Sequence, residues 1–188
     1  MPRRSTCAAL LAALLALGAC SADAEPAPAP SPSTPASPTA ARPTIEPGPV
    51  EPTLPEAARK ENAAGAEAFV AYYWEVASYA QASGDTDLLR SLQAPNCKLC
   101  TGAREWIDEV YSAGGHIRGG RHTVTDASAM PFPEHRDRWI VVAQVTVKPT
   151  VDRRPGQSPR RFGVDRVRVT HTVARSNDGW LISSWRDG

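Results

Sequence analysis

Eleven prolines fall between Ser21 and Pro55, set among Ala, Ser and Thr with scarcely a large apolar residue between them. Such a stretch has too little to bury to offset its ordering entropy, so it reads as a disordered or polyproline-II tether. At about 3.1 Å per residue, its 35 residues would reach roughly 100 Å when extended. Folding is thereby confined to residues 56–188, enough chain for one domain around one core. A passive spacer is the plain reading of this stretch. A strip for proline-recognising modules, or a stalk glycosylated on its Ser and Thr, is the alternative, though nothing marks one site above another.

Ahead of the tether, Arg3 and Arg4 precede an apolar run from Ala8 to Leu17 that is too short to span a bilayer as a stable helix, the pattern of an export signal. Leu17-Gly18-Ala19-Cys20 resembles the lipobox of bacterial lipoproteins at all four positions. That resemblance implies cleavage after residue 19 and a diacylglyceryl group on Cys20. The protein would then sit on the extracytoplasmic face of the cell membrane, since two acyl chains make a lasting anchor where one does not. An ordinary secretory signal that happens to contain Cys20 is the competing reading, and it would leave a reactive exported thiol. The expected organisation is therefore a signal peptide over 1–19, a lipidated Cys20 and tether over 20–55, and a domain over 56–188. Loss of Arg3 and Arg4 with the signal takes the formal charge from +1 to −1. With no basic field, nucleic acid is disfavoured as a partner. An envelope protein or a cell-wall component fits the location better.

Within the domain, Ala66, Phe69, Val70, Tyr73, Val76, Ala77 and Ala80 recur at helical spacing and predict one long helix from Pro55 to Ser83, ended by Gly84. Asp85 is placed to cap a short second helix with Leu88, Leu89 and Leu92 inward, stopped by Pro95. A third helix is expected after Cys100, carrying Trp106, Ile107, Val110 and Tyr111 and closed by Gly114-Gly115. The period then changes. Thr123–Met130, Trp139–Val147, Val164–Ala174 and Trp180–Trp185 are rich in β-branched and aromatic residues and read as four strands. Asn177-Asp178-Gly179 marks a hairpin between the last two, because these residues tolerate positive φ. Helices followed by antiparallel strands make an α+β domain, with the sheet curled around the long helix.

The helix, Gly84-Asp85, a Leu-rich short helix and a last strand reading Asp178-Gly179-Trp180-Leu181-Ile182 together resemble the NTF2-like cone. Gly65-Ala66-Glu67-Ala68-Phe69, Tyr72-Tyr73, Gly84-Asp85, Cys97-x-x-Cys100 and Gly114-Gly115 resemble an uncharacterised family of actinobacterial lipoproteins. These resemblances imply the architecture and an envelope location, and they transfer no catalytic residue.

Two constellations could carry chemistry. Cys97-Lys98-Leu99-Cys100 could be a redox pair, but it follows a helix where a thioredoxin-like motif follows a strand. It could be half of a zinc site with His116 or His122, but no second ligand pair has suitable spacing. A structural disulfide fits best, since Cys7 leaves with the signal and Cys20 is acylated, and these two thiols remain in an oxidising compartment. On the third strand, Asp165, Val167, Val169, His171 and Val173 share one face by period two. In NTF2-like enzymes the corresponding cavity often pairs a carboxylate with a His or Tyr, so His171 with Asp165 and Tyr73 is the catalytic set this resemblance offers. The bland reading is a hydrogen-bonded core histidine. Arg153-Arg154-Pro155-Gly156-Gln157-Ser158-Pro159-Arg160-Arg161 reads as a solvated loop, with wall phosphates, anionic lipid or an acidic partner as the sharper option. No Gly-rich phosphate loop, nucleophile elbow or metalloprotease helix occurs, and no cofactor or metal is expected. A non-enzymatic ligand- or partner-binding module is the leading expectation, and an enzyme using His171 the runner-up.

Overall fold

The computed structural model describes residues 48–188. The expected signal peptide, Cys20 and the expected tether up to residue 47 lie outside the described residues. The tether's last residues already belong to the domain: Leu54 packs against the core, and the Tyr72 hydroxyl donates to the Pro52 carbonyl at 3.4 Å.

The expected first helix is two elements. A 3-10 turn over Glu56–Arg59 precedes α1, Ala63–Ser83. Asn62 separates them, its side chain accepting the Gly65 N–H at 3.0 Å as an N-cap. The chain folds back so tightly here that a Cβ on Gly65 would run into the Lys60 carbonyl. All seven residues of the expected apolar face of α1 are buried. Its end is fixed twice, by Gly84 in the left-handed region at φ +81° and by the Tyr111 hydroxyl, which lies 2.8 Å from the Gln81 carbonyl.

The second helix, α2, spans Asp87–Ser91. Thr86 holds its N-cap position, but the carboxylate that receives the Asp87 N–H is that of Asp85, at 3.0 Å. Leu92 lies just past its end, where Leu92–Ala94 pairs with the last strand through the Ile182 backbone. The third helix, α3, spans Lys98–Ser112, so Cys100 sits inside its first turn rather than before it. The Cys97–Cys100 disulfide is formed, with Cα atoms 5.3 Å apart, and both cysteines are buried.

Seven strands follow where four were expected: β1 His116–Gly119, β2 His122–Phe132, β3 His135–Val147, β4 Thr150–Arg153, β5 Arg160–Phe162, β6 Asp165–Ser176 and β7 Gly179–Asp187. The four long ones are those the periodicity marks, and they form one antiparallel sheet in the order β2-β3-β6-β7. The other three form a second sheet, β1-β4-β5, which corrects the single-sheet expectation. In the larger sheet Val141, Ala143 and Val145 of β3 and Val169, His171 and Val173 of β6 face the helices, fully buried or nearly so. A bulge in β2 between Thr125 and Ser128, with Asp126 at φ +53°, bends the strand that runs along α1. The Asn177-Asp178 turn joins β6 to β7 as expected, but only Gly179 takes a positive φ there, at +129°.

The basic stretch Arg153–Arg161 is, as expected, a loop between strands, residues 154–159 joining β4 to β5. Asp152 at its base is 1% exposed and receives the Trp106 indole N–H at 3.2 Å, with Arg154 at 3.4 Å and Arg160 at 3.6 Å. A buried carboxylate is tolerated only when so paired. Two of the four arginines therefore hold the hairpin against α3.

Candidate functional site

A cavity of about 270 Å³ lies between α1, α3 and the inner face of the larger sheet. Its walls are mainly aromatic and aliphatic: Trp74 from α1, Trp106 from α3, Trp185 from β7, and the valines of β3 and β6. Asp165 at the start of β6 and Asp187 at the end of β7 border it. A larger hollow of about 520 Å³ adjoins it, sharing Trp106, Trp185, Gln81 and Asp165 and running out beneath Phe162 of β5. Phe162 stands edge-on to Trp106 with centroids 6.1 Å apart.

His171 is at the bottom of this face and has 0% exposure. The Trp74 indole N–H donates to its Nε2 at 3.0 Å. Its Nδ1 stands 3.2 Å from the Val141 carbonyl oxygen, which can only accept, so the proton is on Nδ1 and the ring is neutral. Burial drives its pKa down from 6.5 to about 4, against a smaller upward pull from the Val141 carbonyl. Both nitrogens are thus committed. Tyr73, the second residue of the sequence-derived trio, lines the cavity, but its hydroxyl receives the Gln93 amide at 3.0 Å, and Gln93 in turn receives Arg104 at 2.6 Å. Burial pushes the Tyr73 phenol up to about 12. Asp165 is exposed at the rim. Tyr73 and Asp165 line the cavity while His171 lies buried in the sheet beside it, and no hydrogen bond joins any two of the three.

His122 is the residue the sequence weighed only as a distant zinc ligand. It opens β2 and stacks on Trp74, ring centroids 4.8 Å apart. The Ser78 hydroxyl donates to the Trp74 carbonyl at 2.9 Å, so its one proton is used. It accepts the His122 backbone N–H at 2.9 Å, and His122 Nδ1, 3.0 Å away, must then be the donor to it. That leaves Nε2 as a lone pair without a protein partner among the described residues. Burial lowers the His122 pKa to about 4, so the ring is neutral near pH 7. Gln81 adds a buried amide oxygen with no hydrogen-bond partner. Trp185 Nε1–H, near the Tyr73 hydroxyl, likewise makes no bond of good geometry. Position along an amphipathic helix could have marked Gln81 and Trp74 as inward. Nothing in the sequence around Arg121-His122 could have distinguished His122.

Among the described residues, no group of three or more His, Cys, Asp or Glu stands together as a metal site. Nor is any helix there long and apolar enough to cross a membrane.

The chain is similar to several solved structures. The intermembrane-space region of the chloroplast protein ARC6 superposes with a TM-score of 0.53 at 16% identity, over 68% of this chain and 97% of that one. The Kfla4162 protein from Kribbella flavida gives 0.45 at 18% identity over 65% of this chain and 88% of that one. An NTF2-like protein of unknown function in nutrient uptake from Rhodospirillum rubrum gives 0.41 at 21% identity over 63% and 96%. No curated protein matches the sequence. Residues 47–184, nearly all of the described part, match the family of unknown function DUF6318, and the chain belongs to that family.

Proposed function

We propose that the protein is a lipid-anchored envelope protein, of the actinobacterial lipoprotein kind its motifs resemble, whose NTF2-like domain binds a small ligand in the cavity without transforming it. The observation that carries the binding reading is the cavity itself: three indoles, Trp74, Trp106 and Trp185, and a valine floor line it, and a concave, mainly apolar wall of this kind holds a small molecule. The runner-up, an enzyme using His171, loses support because neither nitrogen of that ring is available to take or give a proton. Binding is tested by native mass spectrometry of protein purified from its own membranes. A retained small molecule is expected, and it is lost in Ala103→Phe, which fills the cavity from an exposed position on α3. No retained mass, or equal retention by the variant, sinks the reading. The anchor is tested separately. Cys20→Ala should move the protein to the soluble fraction or leave its precursor uncleaved, and unchanged membrane retention without lipid would remove the lipoprotein assignment.

A further inference from the structure

The charge of the cavity is out of step with the charge of the chain. Lys and Arg number 21 against 20 Asp and Glu in the sequence, yet the residues lining the inner cavity include two carboxylates, Asp165 and Asp187, and not one Lys or Arg. Strand register explains how this comes about. Asp165 shares the inward face of β6 with Val167 and Val169, and Asp187 lies opposite Val169 on β7. Their neighbours Arg166, Arg168 and Arg186 alternate to the other face of the sheet. Arg160, the cation that borders the outer hollow, is paired with Asp152.

The polar atoms inside point the same way. His122 Nε2 is a lone pair without a protein partner among the described residues, and Gln81 Oε1 and Trp185 Nε1 are packed away within the wall. Three indoles supply π-faces, which attract cations and repel anions. We propose that the cavity selects a small organic cation, an ammonium group carried on a compact aromatic or branched alkyl body. This rests on the ligand-binding reading above. The body would lie against Trp74, Trp106 and Trp185, and the ammonium N–H groups would face His122 and the rim carboxylates. A carboxylate ligand of the same size would meet one lone pair and two like charges.

Three probes with a common body test this on the full-length chain near neutral pH: 2-phenylethylammonium, 2-phenylethanol and 3-phenylpropanoate, followed by calorimetry and tryptophan fluorescence. The ammonium is expected to bind at least about 10-fold more tightly than the alcohol, with the carboxylate weakest. Raising NaCl from about 50 mM to about 500 mM should weaken the ammonium and leave the alcohol within about two-fold. The double variant Asp165→Asn, Asp187→Asn, both sites being exposed, should erase most of the ammonium's advantage. Equal or tighter binding of the alcohol or the carboxylate overturns the inference and leaves ligand binding standing, as does an advantage that survives both salt and the double variant. If none of the three probes binds at millimolar concentration, the cation inference is overturned. If native mass spectrometry also finds no retained molecule, the ligand-binding reading falls with it.

Discussion

Lowering the pH should destabilise the fold well above the range in which carboxylates titrate. His171 is wholly buried and neutral, with a pKa of about 4 against 6.5 for a free imidazole. Between those values the unfolded chain binds a proton that the folded chain refuses, so stability is full above about pH 7 and falls as the pH drops toward 4. At about 1.4 kcal/mol per pKa unit, His171 alone should remove about 1.4 kcal/mol by pH 5.5 and about 2.5 kcal/mol by pH 4.5. His122 is shifted in the same direction, but it is partly exposed and its share should be the smaller. Ordinary carboxylates stay ionised above about pH 5.5, so the slope there belongs to the histidines. Urea unfolding followed by tryptophan fluorescence, in steps from about pH 7.5 to about pH 5.5, measures it. His122→Gln should reduce the slope and leave the larger part. Constant stability across the window, or an NMR titration of folded His171 with a midpoint near 6.5, would refute the reasoning.

Three further perturbations follow from the same geometry. Trp74→Phe keeps an aromatic ring but strips His171 Nε2 of its donor, and should cost about 1–3 kcal/mol in denaturant unfolding; a smaller loss would mean water reaches the ring. Gly84→Ala puts a Cβ into the Tyr111 ring at a position with φ +81°, so a loss of more than about 1 kcal/mol is expected, and a neutral result would show that α1 does not end in the left-handed cap. Reduction of the Cys97–Cys100 disulfide, by the chain-entropy estimate for so short a loop, should cost about 2 kcal/mol without unfolding the domain. Mass spectrometry after alkylation should find neither cysteine labelled unless reductant is present.

The helices and long strands were legible because each is long enough to display its period. On α1, seven apolar positions recur at helical spacing over 21 residues; on β6, Val169, His171 and Val173 alternate with polar residues. The shorter strands were not legible for the same reason inverted. Each of β1, β4 and β5 has three or four residues, too few for alternation, and β5 reads Arg160-Arg161-Phe162 with every residue exposed. Their sheet is held by one buried carboxylate, Asp152, whose partners Trp106 and Arg154 lie on another helix and beyond the strand end. No local pattern encodes such a contact. The break between Arg59 and Ala63 was missed because Lys60, Glu61 and Asn62 carry no Gly or Pro, and Asn62 shows itself as a cap only through its bond to Gly65.

The two lowered histidines show why the sequence could place one histidine on the inner face and still miss the one with a nitrogen to spare. Period two puts His171 among the valines, and a histidine at that depth must satisfy both nitrogens within the protein, which Trp74 and Val141 do. Satisfaction of that kind removes it from chemistry. His122 opens β2 and lines the cavity, anchored through Ser78 by Nδ1 and by its own backbone N–H, so that its ring is oriented while Nε2 stays unspent. An oriented, neutral imidazole with a free lone pair is what a proton acceptor or a ligand-binding acceptor requires. Catalysis asks more: no carboxylate bonds to His122 to stabilise an imidazolium, and burial holds its pKa near 4. With so weak a base and the Trp74 indole stacked on it, the geometry suits holding a ligand better than deprotonating one.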